Sequence, residues 1–294
     1  MTYKEFVTKS INSLSGIYSL REAASISKRV LFHFMKIDEY QYIIESDTTI
    51  KKPILKMMQS AMDQLISDRP IQYVLGYEEF AGYRFKVNES VLIPRPETEE
   101  LCRLIIRQWQ SKSYQNLRIL DACTGSGCIA YTLAAAFSNA VVRGVDLSEP
   151  ALEVARSQKI FVGKEHKIPL ENLPDFSQVD VLKDPADEYG QLDILVSNPP
   201  YVREQEKLYM DPNVLDFEPG MALFVPDNDP LRFYRALSRW ASRLLKIGGM
   251  AYFEINETLC DETMELFKSY GFSDVTCIED IHSKPRIIYF TKWF

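Results

Sequence analysis

The sequence predicts an α/β domain built on a mostly parallel sheet, preceded by a small helical bundle. Three observations carry this. After Asn116, apolar runs of strand length alternate with helical runs, the mark of a parallel sheet covered on both faces. The first 70 or so residues place apolar side chains at helical spacing. Between the two, EEFAGYRFKV has strand-forming aromatics around Ala81-Gly82, a hairpin signature. The expected boundaries are a helical domain over 1–76, a hairpin linker over 77–94 and the α/β domain over 95–294.

In the helical part, Ser19-Leu20-Arg21-Glu22 matches a capping box. Ala23, Ile26, Val30, Phe34 and Ile37 follow it on one helix face. A second helix opens at Pro53 and buries Ile54, Met58, Ala61, Met62 and Leu65, stopping at Asp68-Arg69-Pro70. Another helix is expected from Pro96, with Glu97, Glu99 and Glu100 in the first turn, where the helix dipole favours negative charge. The α/β part then reads as strand Arg118–Ala122, helix Gly127–Phe137, strand Val141–Val145 and a third strand at Val179–Leu182. Strand Leu192–Ser197, a helical run Asp229–Leu245 and strand Gly249–Ile255 come next. Helix Thr258–Tyr270 and strands Val275–Glu279 and Ile287–Thr291 close the chain.

A chain of 294 residues has room for two domains, and its 46% hydrophobic and 26% charged content excludes a disordered one. There are 41 acidic against 34 basic residues, a net charge of −7, which disfavours a phosphate backbone as partner. Residues 1–80 are electroneutral, so the acidic surplus lies in the α/β part. The five cysteines form no C-x-x-C pair and read as reduced thiols. His33, His166 and His282 sit in no metal-ligand spacing, so no metal is expected and all three read as surface or structural residues. MTYKEFVTKS lacks the apolar core of a signal peptide, and the most apolar stretch, Cys128 to Phe137, is too short to span a bilayer. A soluble, cytoplasmic protein is expected.

Two constellations carry chemistry. The first is Asp121-Ala122-Cys123-Thr124-Gly125-Ser126-Gly127, between a strand and a helix. Glycines there let the backbone turn tightly and approach a ligand. Asp146 ends the next strand about 20 residues on, where an acid can bond ribose hydroxyls. The turn lacks both the lysine of a phosphate-binding loop and the full G-x-G-x-x-G of dinucleotide enzymes. A cofactor with ribose but no phosphate would fit. S-adenosylmethionine is the leading candidate, and these residues alone leave others open.

The second constellation is Asn198-Pro199-Pro200-Tyr201, directly after the apolar strand Leu192–Ser197 and hence at the carboxyl end of the sheet, where open α/β folds bind ligands. Two consecutive prolines remove two N–H donors and hold Asn198 extended. The Asn198 side-chain oxygen and the Pro199 carbonyl are left to accept bonds from an NH₂ group, and Tyr201 offers a flat face to a planar one.

The Asn-Pro-Pro-Tyr signature, with the glycine-rich turn and acidic strand end upstream, resembles class I S-adenosylmethionine methyltransferases that act on planar NH₂ nitrogens. Two branches share it: adenine-N6 DNA methyltransferases and protein glutamine-N5 methyltransferases. Three stretches are similar to the release factor glutamine methyltransferase family within the second branch: Arg69-Pro70-Ile71-Gln72-Tyr73-Val74-Leu75-Gly76, Leu92-Ile93-Pro94-Arg95-Pro96-Glu97-Thr98-Glu99, and Phe217-Glu218-Pro219 with Ala222-Leu223. The resemblance runs over nearly the whole chain. It implies a Rossmann-like domain with a mostly parallel seven-stranded sheet, and methylation of the glutamine in the Gly-Gly-Gln motif of peptide chain release factors by a monomer that meets neither nucleic acid nor membrane. By matching position it implies cofactor contacts at Cys123, Thr124, Gly125, Ser126, Gly127, Asp146, Val181 and Asn198. Substrate contacts fall at Asn198, Pro199, Pro200 and Tyr201, with Asn198, Pro199 and Tyr201 carrying catalysis.

Three positions depart from the pattern: Cys123 where glycine is usual, Val181 where an aromatic often covers the adenine, and Asn256 where glycine is common. Some loss of cofactor affinity is expected. Cys123 and Cys128 as a redox pair is an alternative reading. Arg95, Glu97, Glu99 and Glu254 divide evenly between structural and site roles, and Lys51, Lys52 and Lys56 read as a solvated helix end. Against the glutamine reading stand an adenine-N6 methyltransferase and a cofactor-binding protein without turnover.

Overall fold

The computed structural model describes residues 1–110, 116–158, 168, 172–183, 185 and 189–293. They divide into two compact units: Met1–Gly76 with Asp211–Phe217, and Tyr77–Met210 with Glu218–Phe294.

The first unit is helical. Helix α1 (Tyr3–Leu14) opens with a reciprocal capping box between Thr2 and Glu5. At the start of α2 (Leu20–Met35) only half of the expected box forms: Ser19 accepts from the Glu22 N–H, without a return bond. Lys36 takes a left-handed conformation that ends α2, so Ile37 lies beyond the helix. After the short α3 (Glu39–Ile44), α4 (Lys52–Ile66) starts one residue ahead of the expected Pro53 and buries Met58, Ala61, Met62 and Leu65, while Ile54 stays half-buried. These pack with Phe6, Leu14, Ala23, Ile26 and Val30 from α1 and α2, and α5 (Ile71–Leu75) closes the bundle at Gly76.

The second unit opens with the hairpin of β1 (Tyr77–Phe80) and β2 (Tyr83–Lys86). Ala81 and Gly82 both have positive φ, 51° and 80°, which matches the twist of a two-residue hairpin turn. Helix α6 (Pro96–Trp109), β3 (Arg118–Ala122), α7 (Cys128–Ala136), β4 (Val141–Asp146), α8 (Glu149–Ser157), β5 (Asp175–Gln178) and β6 (Leu192–Ser197) follow. The third strand therefore lies before Val179–Leu182, which forms the loop leaving it. Beyond come β7 (Val202–Arg203), α9 (Pro212–Phe217, in the first unit), α10 (Gly220–Leu223), β8 (Phe224–Val225), α11 (Arg232–Leu244), β9 (Leu245–Glu254), α12 (Cys260–Ser269), β10 (Thr276–Glu279) and β11 (Pro285–Thr291).

Among the described residues the main sheet has seven strands in the order β10-β11-β9-β6-β3-β4-β5. Only β11 is reversed; it runs antiparallel to both neighbours. This is the seven-stranded, mostly parallel sheet that the resemblance implies. Both faces are covered. Ile119, Ile194, Val196 and Tyr252 point to a core with α6, α7 and α8, while Leu120, Leu195 and Phe253 point to one with α11 and α12. The second core is aromatic, with Phe272 stacked on Phe290 at 4.0 Å and Phe253 on Phe267 at 5.3 Å. Truncating one of these rings would cost about 3–5 kcal/mol. No described helix is long and apolar enough to cross a membrane.

From β3 the chain builds outward to β4 and β5, then returns to place β6 on the other side of β3. That reversal opens a crevice at the carboxyl ends of β3 and β6, the place where open α/β sheets bind ligands.

Candidate active site

The crevice is lined by residues of the second unit and holds about 950 Å³ of empty space, part of it open to solvent. The turn after β3 forms its floor. Asp121, fully buried, accepts from the Thr124 hydroxyl at 2.5 Å and from the Ala130 N–H at 3.2 Å, tying the turn to the first residues of α7. Burial pushes this carboxyl up to about 7, against the pull of those two bonds. Cys123, Gly125 and Gly127 have positive φ of 58°, 52° and 80°. The glycine usual at position 123 thus has a backbone reason, and Cys123 takes the left-handed conformation with a Cβ. At Gly127 the positive φ is joined by a tight fit, since a Cβ there would stand 3.1 Å from the Phe176 ring.

Asp146 ends β4 on the crevice wall. One carboxylate oxygen accepts from the Gly125 N–H and the other from the Ser148 N–H, both at 2.9 Å. Burial raises its pKa while those backbone bonds oppose the rise. Val181 is buried and lines the crevice beside Val179, Asp180 and Leu182. Cys123, Thr124, Gly125 and Ser126 line it as well, as does Cys128, whereas Gly127 does not. Burial pushes the Cys123 thiol well up and that of Cys128 up to about 12, the reverse of a reactive redox pair.

Asn198 and Pro200 line the crevice; Pro199 and Tyr201 do not. The Tyr201 hydroxyl instead donates to Glu254 at 2.8 Å. Asn198 turns its NH₂ toward Thr98 of α6, donating to the hydroxyl oxygen at 3.0 Å, and Thr98 donates onward to Glu254 at 2.6 Å. Asn256, the third departure, donates to the Tyr201 carbonyl at 3.2 Å and caps the turn after β9, so its side chain has work that glycine could not do. Leu92, Pro94 and Arg95 line the crevice too, as do Pro219, Met221 and Ala222.

Residues 98–213 match the family model described as methyltransferase small domain. A release factor glutamine methyltransferase of Flavobacterium psychrophilum is 40% identical over 289 residues, 98% of either chain. The chain belongs to the release factor glutamine methyltransferase family. A second relative so named, from Bacteroides thetaiotaomicron, is 38% identical over 94% of this chain and 95% of its own. Human methyltransferase 10 domain containing protein shares the fold alone, with a TM-score of 0.50 at 14% identity over 81% of this chain and 98% of that one.

The donor set fits the family's cofactor. The Asp146 carboxylate, held by backbone N–H groups, lines the crevice where its oxygens can accept from vicinal ribose hydroxyls. A Cβ at Gly125 would meet nothing within 4 Å, so the turn leaves open space on its ligand side. Val179, Val181 and Leu182 make an apolar wall for a flat base.

Several residues are placed here that the motifs do not single out. Thr98 and Glu218 sit inside the family stretches, yet their roles emerge only from contacts: Glu218, 6% exposed, pairs with Arg95 and accepts from the Ile93 N–H. Glu254 turns out to be buried. Gly144 of β4 has no room for a Cβ, which would stand 2.6 Å from Phe176 and 2.8 Å from the Thr124 hydroxyl. Glu97 and Glu99 stay at the start of α6, where Glu99 pairs with Arg103. Lys51, Lys52 and Lys56 are exposed, as is His282; His33 packs edge-on to Phe34, and His166 lies outside the described residues.

Proposed function

We propose that this chain methylates the side-chain amide nitrogen, N5, of the glutamine in the Gly-Gly-Gln motif of peptide chain release factors, with S-adenosylmethionine as methyl donor. Membership of the family supports the substrate. The arrangement around Asn198 is the single observation that supports the chemistry: its NH₂ is engaged by Thr98, so its oxygen is left as an acceptor at the crevice.

When bound, S-adenosylmethionine supplies a methyl group already activated by its sulfonium. Asp146 would hold its ribose, the Cys123–Ser126 turn its amino-acid end, and the Val179–Leu182 segment its adenine. The harder task is the nucleophile. An amide nitrogen shares its lone pair with the carbonyl, the resonance that gives a peptide bond its barrier of about 18–20 kcal/mol. Asn198 Oδ1 and the Pro199 carbonyl accept the two N–H bonds of the substrate amide and turn the nitrogen toward the crevice. The same acceptors favour the positive charge that grows on nitrogen as the new C–N bond forms, an interaction strongest in the transition state. Holding the reacting groups in line supplies the rest. The methylated nitrogen is strongly acidic and loses its proton afterwards, so no strong base is needed first.

The helical domain, over 1–76, would hold the release factor, as a docking surface distinct from the methyltransferase domain over 95–294 and the hairpin linker at 77–94. Leu20, Tyr40, Ile43 and Ile44 remain exposed on the helices and offer apolar contact area. The enzyme would act as a cytoplasmic monomer. Mixing protein, S-adenosylmethionine and folded release factor, with duplex DNA in a parallel tube, and mapping the methyl group by mass spectrometry tests this directly. Methyl on the Gly-Gly-Gln glutamine is the expected result; methyl on adenine instead would move the chain to the nucleic-acid branch.

A further inference from the structure

Asn198 can serve as an acceptor only if its amide faces one particular way, and three distant parts of the chain converge to decide that. Thr98, the third residue of α6, is 2% exposed. Its hydroxyl oxygen lies 3.0 Å from Asn198 Nδ2 and 2.6 Å from Glu254 Oε2. Glu254, the last residue of β9, is 1% exposed, and its Oε1 accepts from the Tyr201 hydroxyl at 2.8 Å. A threonine hydroxyl has one proton, and an ionised carboxylate can only accept. The proton therefore goes to Glu254, and what remains on Thr98 toward Asn198 is a lone pair. That lone pair must meet an N–H donor, so Asn198 presents NH₂ inward and Oδ1 outward.

We infer that Thr98 and Glu254 are positioning residues that fix the polarity of the Asn198 amide, and that the ionised state of Glu254 is what sets its direction. The inference rests, for the reaction it serves, on the glutamine methylation proposed above. The network has a second arrangement of equal hydrogen-bond count. A protonated Glu254 donates to Thr98, Thr98 donates its own proton to Asn198, and the amide turns over to offer its oxygen inward. Two N–H donors then face the NH₂ of the substrate, donor against donor, and the nitrogen is no longer oriented. Protonation of one buried carboxylate thus switches the site off without moving the backbone.

The groups around Glu254 pull both ways. Burial and Glu97 of α6 favour the neutral acid; the donors Thr98 and Tyr201, and the charge of Arg286 on β11, favour the carboxylate. Tyr234 of α11, Cys102 of α6 and Cys128 of α7 also face its charge, and all three are neutral at ordinary pH because burial pushes their pKa values up. Burial outweighs the rest, so Glu254 titrates above the ordinary glutamate range. Turnover is then full above that pKa and lost as pH falls through it, at a higher pH than an ordinary carboxylate would set.

The test follows the side-chain NH₂ signals of Asn198 in protein labelled with ¹⁵N-asparagine, without cofactor, alongside steady-state kinetics on the release factor. The signals are assigned by their disappearance in Asn198→Asp. In the wild type they should show a hydrogen-bonded proton at pH 8 and shift along a single titration as pH falls; in Thr98→Val they should move to the position of a free amide. Thr98→Val should lower kcat about 100-fold, the scale on which one oriented transition-state contact counts. KM for the release factor, set mainly by remote contacts, should change less than about threefold. Thr98→Ser, which keeps the hydroxyl, should restore most of kcat, and Tyr201→Phe, which removes a donor to Glu254, should move the acid limb of kcat to higher pH. Thr98→Val with unchanged Asn198 signals and unchanged kcat overturns the inference, as does an acid limb that Tyr201→Phe leaves in place. If wild-type protein methylates nothing, the proposed function fails, while the Asn198 signals still decide the orientation.

Discussion

Arg95 and Glu218 stand 123 positions apart in the chain and meet in an ion pair of 2.5 Å. The Glu218 side chain is 1% exposed, and its second oxygen accepts from the Ile93 N–H at 3.2 Å. One carboxylate therefore ties the Leu92–Pro96 segment to the chain entering Pro219–Ala222, and both segments line the crevice. Removing one partner of such a pair leaves a buried charge uncompensated. Arg95→Ala should cost about 3 kcal/mol in urea unfolding, and adding Glu218→Gln should recover part of it by removing the stranded charge. A double variant no more stable than Arg95→Ala would show that the pair does not act as a unit.

Cys123 holds a left-handed backbone that glycine adopts freely. Comparing Cys123→Ala with Cys123→Gly removes the thiol from both and isolates the backbone. At an ordinary position glycine is the less stable of the two; here Cys123→Gly should be the more stable by about 1 kcal/mol. Thermal unfolding of the two variants checks the sign, and calorimetric titration shows whether glycine also tightens cofactor binding.

Asp146 holds the turn through the Gly125 N–H and would hold the cofactor through its remaining lone pairs. Asp146→Ala removes both functions. With each hydrogen bond worth about 1–1.5 kcal/mol, S-adenosylmethionine should bind on the order of 10- to 100-fold more weakly by calorimetry. Unchanged affinity would remove Asp146 from the cofactor site.

Asp121 keeps its proton up to about 7 in the folded state, but only to the ordinary carboxylate range when unfolded. Between those limits the native protein binds more protons than the unfolded chain, so stability falls as pH rises through the window and levels off above it. Asp121→Asn cannot titrate. The stability difference between wild type and this variant should therefore decline from pH 5 to pH 7, by at most about 1.4 kcal/mol per pH unit, in urea unfolding. Asp146 and Glu254 are also raised and titrate in both proteins, so the difference reports Asp121 together with its weaker charge coupling to Asp146. A flat difference would contradict the burial argument.

The strand and helix order is legible in the sequence where side chains are buried on both faces. Strand β6, with all six residues buried, reads as a strand through Leu192 and the Ile194-Leu195-Val196 run that leads into Asn198, despite the charge at Asp193. Strand β5 does not read this way, because it is the sheet edge and buries only Phe176 of Asp175–Gln178. Edge strands tolerate polar residues, and the apolar Val179–Leu182 beside it imitates a strand while lining the crevice instead. The Asn198 motif is legible because its chemistry is local. Its orientation is not, since the Thr98–Glu254 bond joins residues 156 positions apart on different elements and leaves no periodic trace.

The most direct measurement compares wild type and Asn198→Ala on the same folded release factor, with initial rates read from the mass of the Gly-Gly-Gln peptide. Methyl on that glutamine, with the rate falling about 100-fold or more in a variant whose unfolding midpoint is unchanged, is the predicted result. A variant that methylates the glutamine as fast as wild type would contradict the role given to Asn198, and with it the account of the site.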